Sequence, residues 1–179
     1  HWMVRRQRQM CIRDRGCIYF DSELSRGIDV ASRSASEATD TPLSRTSGTS
    51  QYHHLRVNSS YSFYILTNYL MKIGLGGQYT DGALLNSEQS TVIGMDRISS
   101  LTSGAISGDK IWYIRAEVNR NFLLLKNLSL TPYMYSAMGV AYLNRPTAAE
   151  NKETAAKSVG VGLQTVSYTH LTLPTNHPV

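Results

Sequence analysis

Gly104-Ala105-Ile106-Ser107-Gly108-Asp109-Lys110-Ile111-Trp112-Tyr113-Ile114-Arg115-Ala116-Glu117-Val118 is the stretch whose reading decides the fold. It opens as a Gly/Ser loop ending in Ser-Gly-Asp and runs straight into a strand. Successive side chains of a strand point to opposite faces. Ile111, Tyr113, Arg115 and Glu117 therefore share one side, and Trp112, Ile114, Ala116 and Val118 the other. One face is apolar; the other, after Ile111, carries a hydroxyl, a cation and an anion. A water-soluble sandwich meets this pattern with the apolar face inward. A membrane barrel meets it with that face toward lipid and the polar face lining the lumen.

Both ends need trimming before composition means anything. Residues 5–15, Arg-Arg-Gln-Arg-Gln-Met-Cys-Ile-Arg-Asp-Arg, can be encoded by a DNA whose reverse complement, in a shifted frame, encodes Val-Ser-Tyr-Thr-His-Leu-Thr-Leu-Pro-Thr, residues 166–175. A protein has no physical reason to carry one DNA inverted at its two ends. Residues 1–15 and 166–179 are read as a translated sequencing adaptor, and residues 16–165 as a natural segment cut on both sides. The whole chain holds 18 Lys+Arg against 13 Asp+Glu. Residues 1–15 account for five Arg and one Asp, and the tail for no Lys, Arg, Asp or Glu, leaving 13 cations against 12 anions. The basic N-terminal cluster thus gives no reason to expect nucleic acid.

Cys11 lies in the adaptor-like end and Cys17 just beyond it, so no disulfide, zinc site or redox pair is expected. His53 and His54 are adjacent, point to opposite strand faces and cannot share a metal. No metal and no cofactor are implied. Asp21 and Glu23 share a strand face, yet no nucleophile–base pair or convergent carboxylates emerge, so the chain is not read as an enzyme. No run approaches the ~18 apolar residues of a membrane helix.

The alternation recurs along the chain. Residues 18–30, 52–66, 69–80, 110–121 and 128–143 read as strands, with shorter alternations at 91–95 and 158–164. Ala31 to Ser50 reads as a loop: ten of its twenty residues are Ser or Thr, too polar a segment to order itself by burial. Asn144 to Lys157 reads as a second, charged loop. Pro132 is the one residue that argues against a central ladder. Gly74-Leu75-Gly76-Gly77 is no phosphate loop, because no helix follows to hold the anion. Strands this long, polar on one face and apolar with aromatics on the other, favour a barrel over a sandwich.

Several pieces, in order, resemble one family. They are Leu24-Ser25-Arg26-Gly27-Ile28-Asp29-Val30, Gly77-Gln78-Tyr79-Thr80, Leu85-Asn86-Ser87-Glu88-Gln89, Ser107-Gly108-Asp109, Arg115-Ala116-Glu117-Val118, Leu130-Thr131-Pro132-Tyr133, Gly139-Val140-Ala141-Tyr142-Leu143-Asn144 and Val159-Gly160-Val161-Gly162-Leu163. Together they look like the C-terminal barrel of two-partner secretion transporters, the haemolysin secretion/activation (ShlB/FhaC/HecB) group. The resemblance implies an all-β fold: an antiparallel transmembrane β-barrel fragment, about seven strands of a 16-stranded outer-membrane barrel. It implies secretion of a partner exoprotein of haemolysin or adhesin type, with outer-membrane lipid as surroundings. An outer-membrane assembly factor of the wider superfamily, and a small soluble β-barrel that binds an apolar ligand, are the alternatives.

There are departures. The family's loop before Ser-Gly-Asp carries a Val-Arg-Gly-aromatic motif that folds into the lumen; here Ile98-Ser99-Ser100-Leu101 stands in its place, with Arg97 out of register. The family's Asp-x-Gly is Ala137-Met138-Gly139. Loss of both an Arg and an Asp reads as a paired change. The expected loop-docking residues are Arg115 and Glu117 as lumen charges, with Gly108, Asp109, Ser99 and Arg97 from the loop.

Overall fold

The computed structural model describes residues 2–12, 16–28, 45, 48, 51–102, 104–125 and 128–167. Among these the chain is strand and loop without a helix. The strands are β1 (Trp2–Ile12), β2 (Gly16–Arg26), β3 (His53–Leu66), β4 (Tyr69–Thr80), β5 (Ser90–Thr91), β6 (Ser107–Gly108), β7 (Lys110–Arg120), β8 (Phe122–Leu125), β9 (Leu128–Tyr142) and β10 (Glu153–Ser167). The main sheet runs β1-β2-β3-β4-β7-β9-β10, antiparallel throughout, with β8 also on β9. It is open, with β1 and β10 as its edges.

Alternation set these strands, and their register carries the two faces across the sheet. Leu24, Leu55 and Tyr79 stand in line, as do Gly77, Trp112 and Val140. This outer face is apolar yet bare: Leu75, Trp112, Met134 and Val161 are 48%, 44%, 59% and 82% exposed. Water would not tolerate so large a contiguous apolar patch. Tyr79, Trp112 and Tyr142 mark one end of the face, and Tyr69 and Phe122 the other, about ten residues along the strands, which suits an apolar band ~25 Å tall crossed at a tilt. Lys157 also stands on this face, opposite Met138; its long stem suits it to snorkel.

Three differences from the sequence reading have physical causes. The alternation at 91–95 is not a wall strand: β5 pairs only with β6, and Ile93 bridges to Ile98, so the segment folds on itself. The charged segment expected to be loop as far as Lys157 joins β10 from Glu153, because the long β9 offers it an edge as far as Tyr142. Residues 2–12 form a strand, and Cys11 and Cys17, from which no disulfide was expected, are bonded; the hairpin register sets them opposite with Cα atoms 4.0 Å apart. The loop reading of residues 31–50 lies, apart from Arg45 and Gly48, outside the described residues, as does the turn expected at Lys126 and Asn127.

Pro132 is accommodated by a lapse in the ladder. Asn119 faces Tyr133 and Phe122 faces Leu130 in one constant register, so β8 continues β7 across a lapse opposite Thr131 and Pro132, with a further register shift between Leu123 and Leu125. Proline has no N–H to donate there.

Candidate functional site: a loop seated on the inner face

Residues 81–109 connect β4 to β7 and lie against the polar side of the sheet, the inner face. The seat is made by small residues. Ala137 and Ala141 of β9, with Ile111 of β7, bury Val92, Ile93 and Ile98 of the loop, and Ile106, Tyr135 and Ala156 pack around them. Val92, Ile93 and Ile98 are at most 1% exposed. The small and apolar residues Ile111, Ala137 and Ala141 of the inner face thus lie under the loop. The loop holds its own shape through backbone bonds from Val92 N–H to Ile106, Ile98 N–H to Val92 and Gly94 N–H to Ile98.

Two polar anchors fix this loop. The first is at its tip. Arg115 Nη1 donates to Ser99 Oγ at 2.9 Å and to the Arg97 carbonyl at 3.1 Å. Arg115 Nη2 donates to Glu117 at 2.9 Å, and the guanidinium lies 3.9 Å from the Tyr135 ring centroid. The Arg97 guanidinium turns away to the Tyr113 ring, 5.0 Å off, and to the Thr91 carbonyl. Four of the six expected residues, Arg115, Glu117, Arg97 and Ser99, therefore meet. Ala137, where the family resemblance implies an Asp, stands opposite Arg115 in the β7–β9 register.

The second anchor, at the root of the loop, is Asp109. It is fully buried. Arg45 Nη1 spans its two carboxylate oxygens at 2.9 and 2.8 Å, the Leu84 and Asn144 backbone N–H groups donate at 2.9 and 2.6 Å, and Gln89 Nε2 donates at 3.3 Å. Arg45 Nη2 reaches on to the Asn144 carbonyl at 2.7 Å. One carboxylate so joins three connecting segments, 27–52, 81–109 and 143–152. Gly108 packs beside it where a Cβ would stand 2.8 Å from the Tyr142 carbonyl, which explains its glycine. Gly108 and Asp109 belong to this root, not to the tip.

A row of polar side chains ties the root to the wall. Glu23 of β2 accepts from Arg56 of β3 at 3.2 Å, and Arg56 Nε donates to Gln78 of β4 at 2.9 Å. Gln78 accepts from Ser90 at 2.6 Å and donates to the Glu88 and Asp109 carbonyls. His54, 2% exposed, stacks on Tyr52 and lies 3.6 Å from Glu23. Arg45, Gln78 and Asn144 were not singled out from sequence. Gln78 and Asn144 lay inside quoted motifs, but Arg45 sits in a Ser/Thr-rich stretch that carries no local signal.

Between the loop tip and the wall is a cavity of about 420 Å³, lined by Asn58, Lys72, Arg97, Tyr113, Arg115 and Glu117 among others. Its lining mixes apolar surface with charges of both signs. Among the described residues no three His, Cys, Asp or Glu side chains gather as metal ligands. What this arrangement can do is hold a loop across an inner face.

Comparison with known proteins gives a family and a fold. Residues 6–164 match the family described as haemolysin secretion/activation protein ShlB/FhaC/HecB. Among solved structures, CdiB from Escherichia coli matches with a TM-score of 0.69 and 16% identity, over 92% of this chain and 30% of that one. The chain therefore spans under a third of that protein's length. No curated protein matches.

Proposed function

The chain belongs to the haemolysin secretion/activation protein family ShlB/FhaC/HecB, and from that premise we propose that it is the loop-bearing part of a pore that passes a partner exoprotein across the bacterial outer membrane. The all-β sheet is part of an outer-membrane β-barrel. The carrying observation is the buried seat of residues 81–109 on the inner face, held at tip and root. A loop packed into a lumen must shift, or be skirted, for a polypeptide to pass. The cavity beside its tip is the space from which such a path would start.

The long connections, 27–52, 81–109 and 143–152, all leave one end of the sheet, while Leu66–Tyr69 at the other end is a tight turn. Outer-membrane barrels place short turns in the periplasm and long loops outside. Arg115 and Glu117 are proposed as the lumen charges that dock the loop, and Arg97 and Ser99 as what they dock. Gly108 and Asp109 keep the loop's root in place.

The natural segment is proposed to be residues 16–165, with residues 1–15 and 166–179 as translated adaptor. The inverted DNA supports this. So does β1, whose register puts Arg6 opposite Ser22 and Arg8 opposite Phe20, on the outer face. A guanidinium facing lipid costs up to about 2–4 kcal/mol near the midplane.

The test is to sequence the source DNA outward through both junctions and express the full gene in a bacterial host. Two small periplasmic repeats upstream, further strands downstream and export of a neighbouring long exoprotein into the medium are the expected results. If the exoprotein stays inside while other barrels assemble better, the protein is an assembly factor. Start and stop codons at the junctions would make it a small self-contained β protein.

A further inference from the structure

On the outer face, at the short-turn end, an apolar groove of about 630 Å³ runs beside Tyr69, Phe122, Met134, Val161 and Leu163, with Arg120 at its border. The lapse in the ladder opposite Pro132 lies in this groove. The Arg120 guanidinium stands 5.0 Å from the Tyr69 ring centroid and 4.6 Å from that of Phe122. Its Nη1 donates to Tyr69 Oη at 3.1 Å. Among the described residues no carboxylate lies within ion-pair distance of it.

A guanidinium has five N–H donors in a planar fork. Two aromatic faces orient this one and a single phenol uses one donor. On the reading proposed above, the remaining donors stand beside the aromatics Tyr69 and Phe122 at the end of the apolar band, where lipid meets water. We propose that this is a binding site for one anionic phospholipid of the periplasmic leaflet, whose phosphodiester, uncompensated by a headgroup cation, sits on Arg120 with an acyl chain along Met134, Val161 and Leu163. Charge complementarity favours this occupant over another apolar protein surface, because the cation at the mouth would go unpaired against the latter. Guanidinium and phosphate match in geometry as two-point partners. The opposite rim repeats the pattern on a smaller scale, with Lys110 4.8 Å from the Tyr79 ring and a groove of about 380 Å³. That rim meets the outer leaflet, and its ammonium is a point charge without the fork.

The experiment uses the full transporter that contains this segment, purified in phosphate-free detergent. It is loaded from phosphatidylglycerol or phosphatidylcholine nanodiscs, and retained lipid is counted by native mass spectrometry. The wild-type protein should keep phosphatidylglycerol through delipidation in preference to phosphatidylcholine. Arg120→Gln should reduce retention about tenfold, as loss of a charge-assisted pair predicts. Leu163→Trp, which fills the groove and keeps the charge, should reduce it as well. Equal retention in Arg120→Gln and wild type would overturn the site, and so would indifference to headgroup in the wild type. The headgroup comparison needs no variant, so a folding defect in either substitution leaves the site testable.

Discussion

Arg115 meets four partners at once: Glu117, Ser99 Oγ, the Arg97 carbonyl and the face of Tyr135. The cation and its carboxylate partner Glu117 are on the wall, and the loop supplies two neutral acceptors, Ser99 Oγ and the Arg97 carbonyl. Placing a second guanidinium at the loop tip would set two cations together. Ser99→Arg alone should therefore leave exoprotein secretion no better, while Ser99→Arg with Ala137→Asp supplies the missing carboxylate and should restore docking. Clear improvement by Ser99→Arg alone, measured as exoprotein in the medium, would refute the paired change. Asp109 is the costlier residue. Replacing it with Ala would leave Arg45 buried without its counter-charge, a loss of about 3–5 kcal/mol, read as a lower unfolding midpoint in detergent. Tyr52 lies just before β3, with its phenol pushed up to about 12, by burial first and by its hydrogen bond to Glu88 second. An unfolded phenol ionises near pH ~10. The folded state thus holds the proton longer, and its stability is whole below about pH 10 and declines as pH rises toward 12. A Tyr52→Phe variant should lose less stability across that alkaline range in a denaturation series.

At the scale of elements, glycines let tyrosines lie flat across neighbouring strands. A Cβ on Gly160 would come within 2.7 Å of the Tyr135 ring, and one on Gly76 within 2.6 Å of the Tyr113 hydroxyl. Tyr135 is the ring beneath Arg115, so the β9–β10 contact reaches the loop tip. Gly160→Ala should cost about 1–3 kcal/mol through overpacking. It should also make residues 94–101 easier to cleave in limited proteolysis; unchanged cleavage would show that β10 does not support the tip. The strands β3, β4, β7 and β9 were legible because alternation is a local property of sequence. The start of β10 was not, since Thr154-Ala155-Ala156-Lys157 has no apolar rhythm and is strand only by pairing with β9. The loop's burial was equally hidden: Val92, Ile93 and Ile98 look like a weak strand until Ala137 and Ala141 make room for them. The tip contact was approached only through the family resemblance. At the root, Gly108 and Asp109 were singled out, but Arg45 was not, because it is distant in sequence from everything it touches.

For the whole molecule, the decisive feature is an open sheet with a bare apolar side. The outer edge of β10, 15 residues long, carries backbone groups that lipid cannot satisfy. Each such group costs several kcal/mol away from water, and in water an open edge invites pairing with another chain. The isolated chain should aggregate unless detergent holds it. A monodisperse, lipid-free monomer on a sizing column would contradict the membrane reading. Completing the barrel with its missing strands should abolish that aggregation in detergent and confer resistance to denaturation by mild heating on a gel.

The root carboxylate also has a history in time. Asp109 binds Arg45 from 64 positions upstream and the Asn144 amide from 35 downstream. Contacts of such separation form late, after local hairpins have zipped and loop-closure entropy has been met. Until Arg45 and the Asn144 amide both reach it, Asp109 stays hydrated. Its burial therefore marks the point at which the three connecting segments have come together at one end of the sheet.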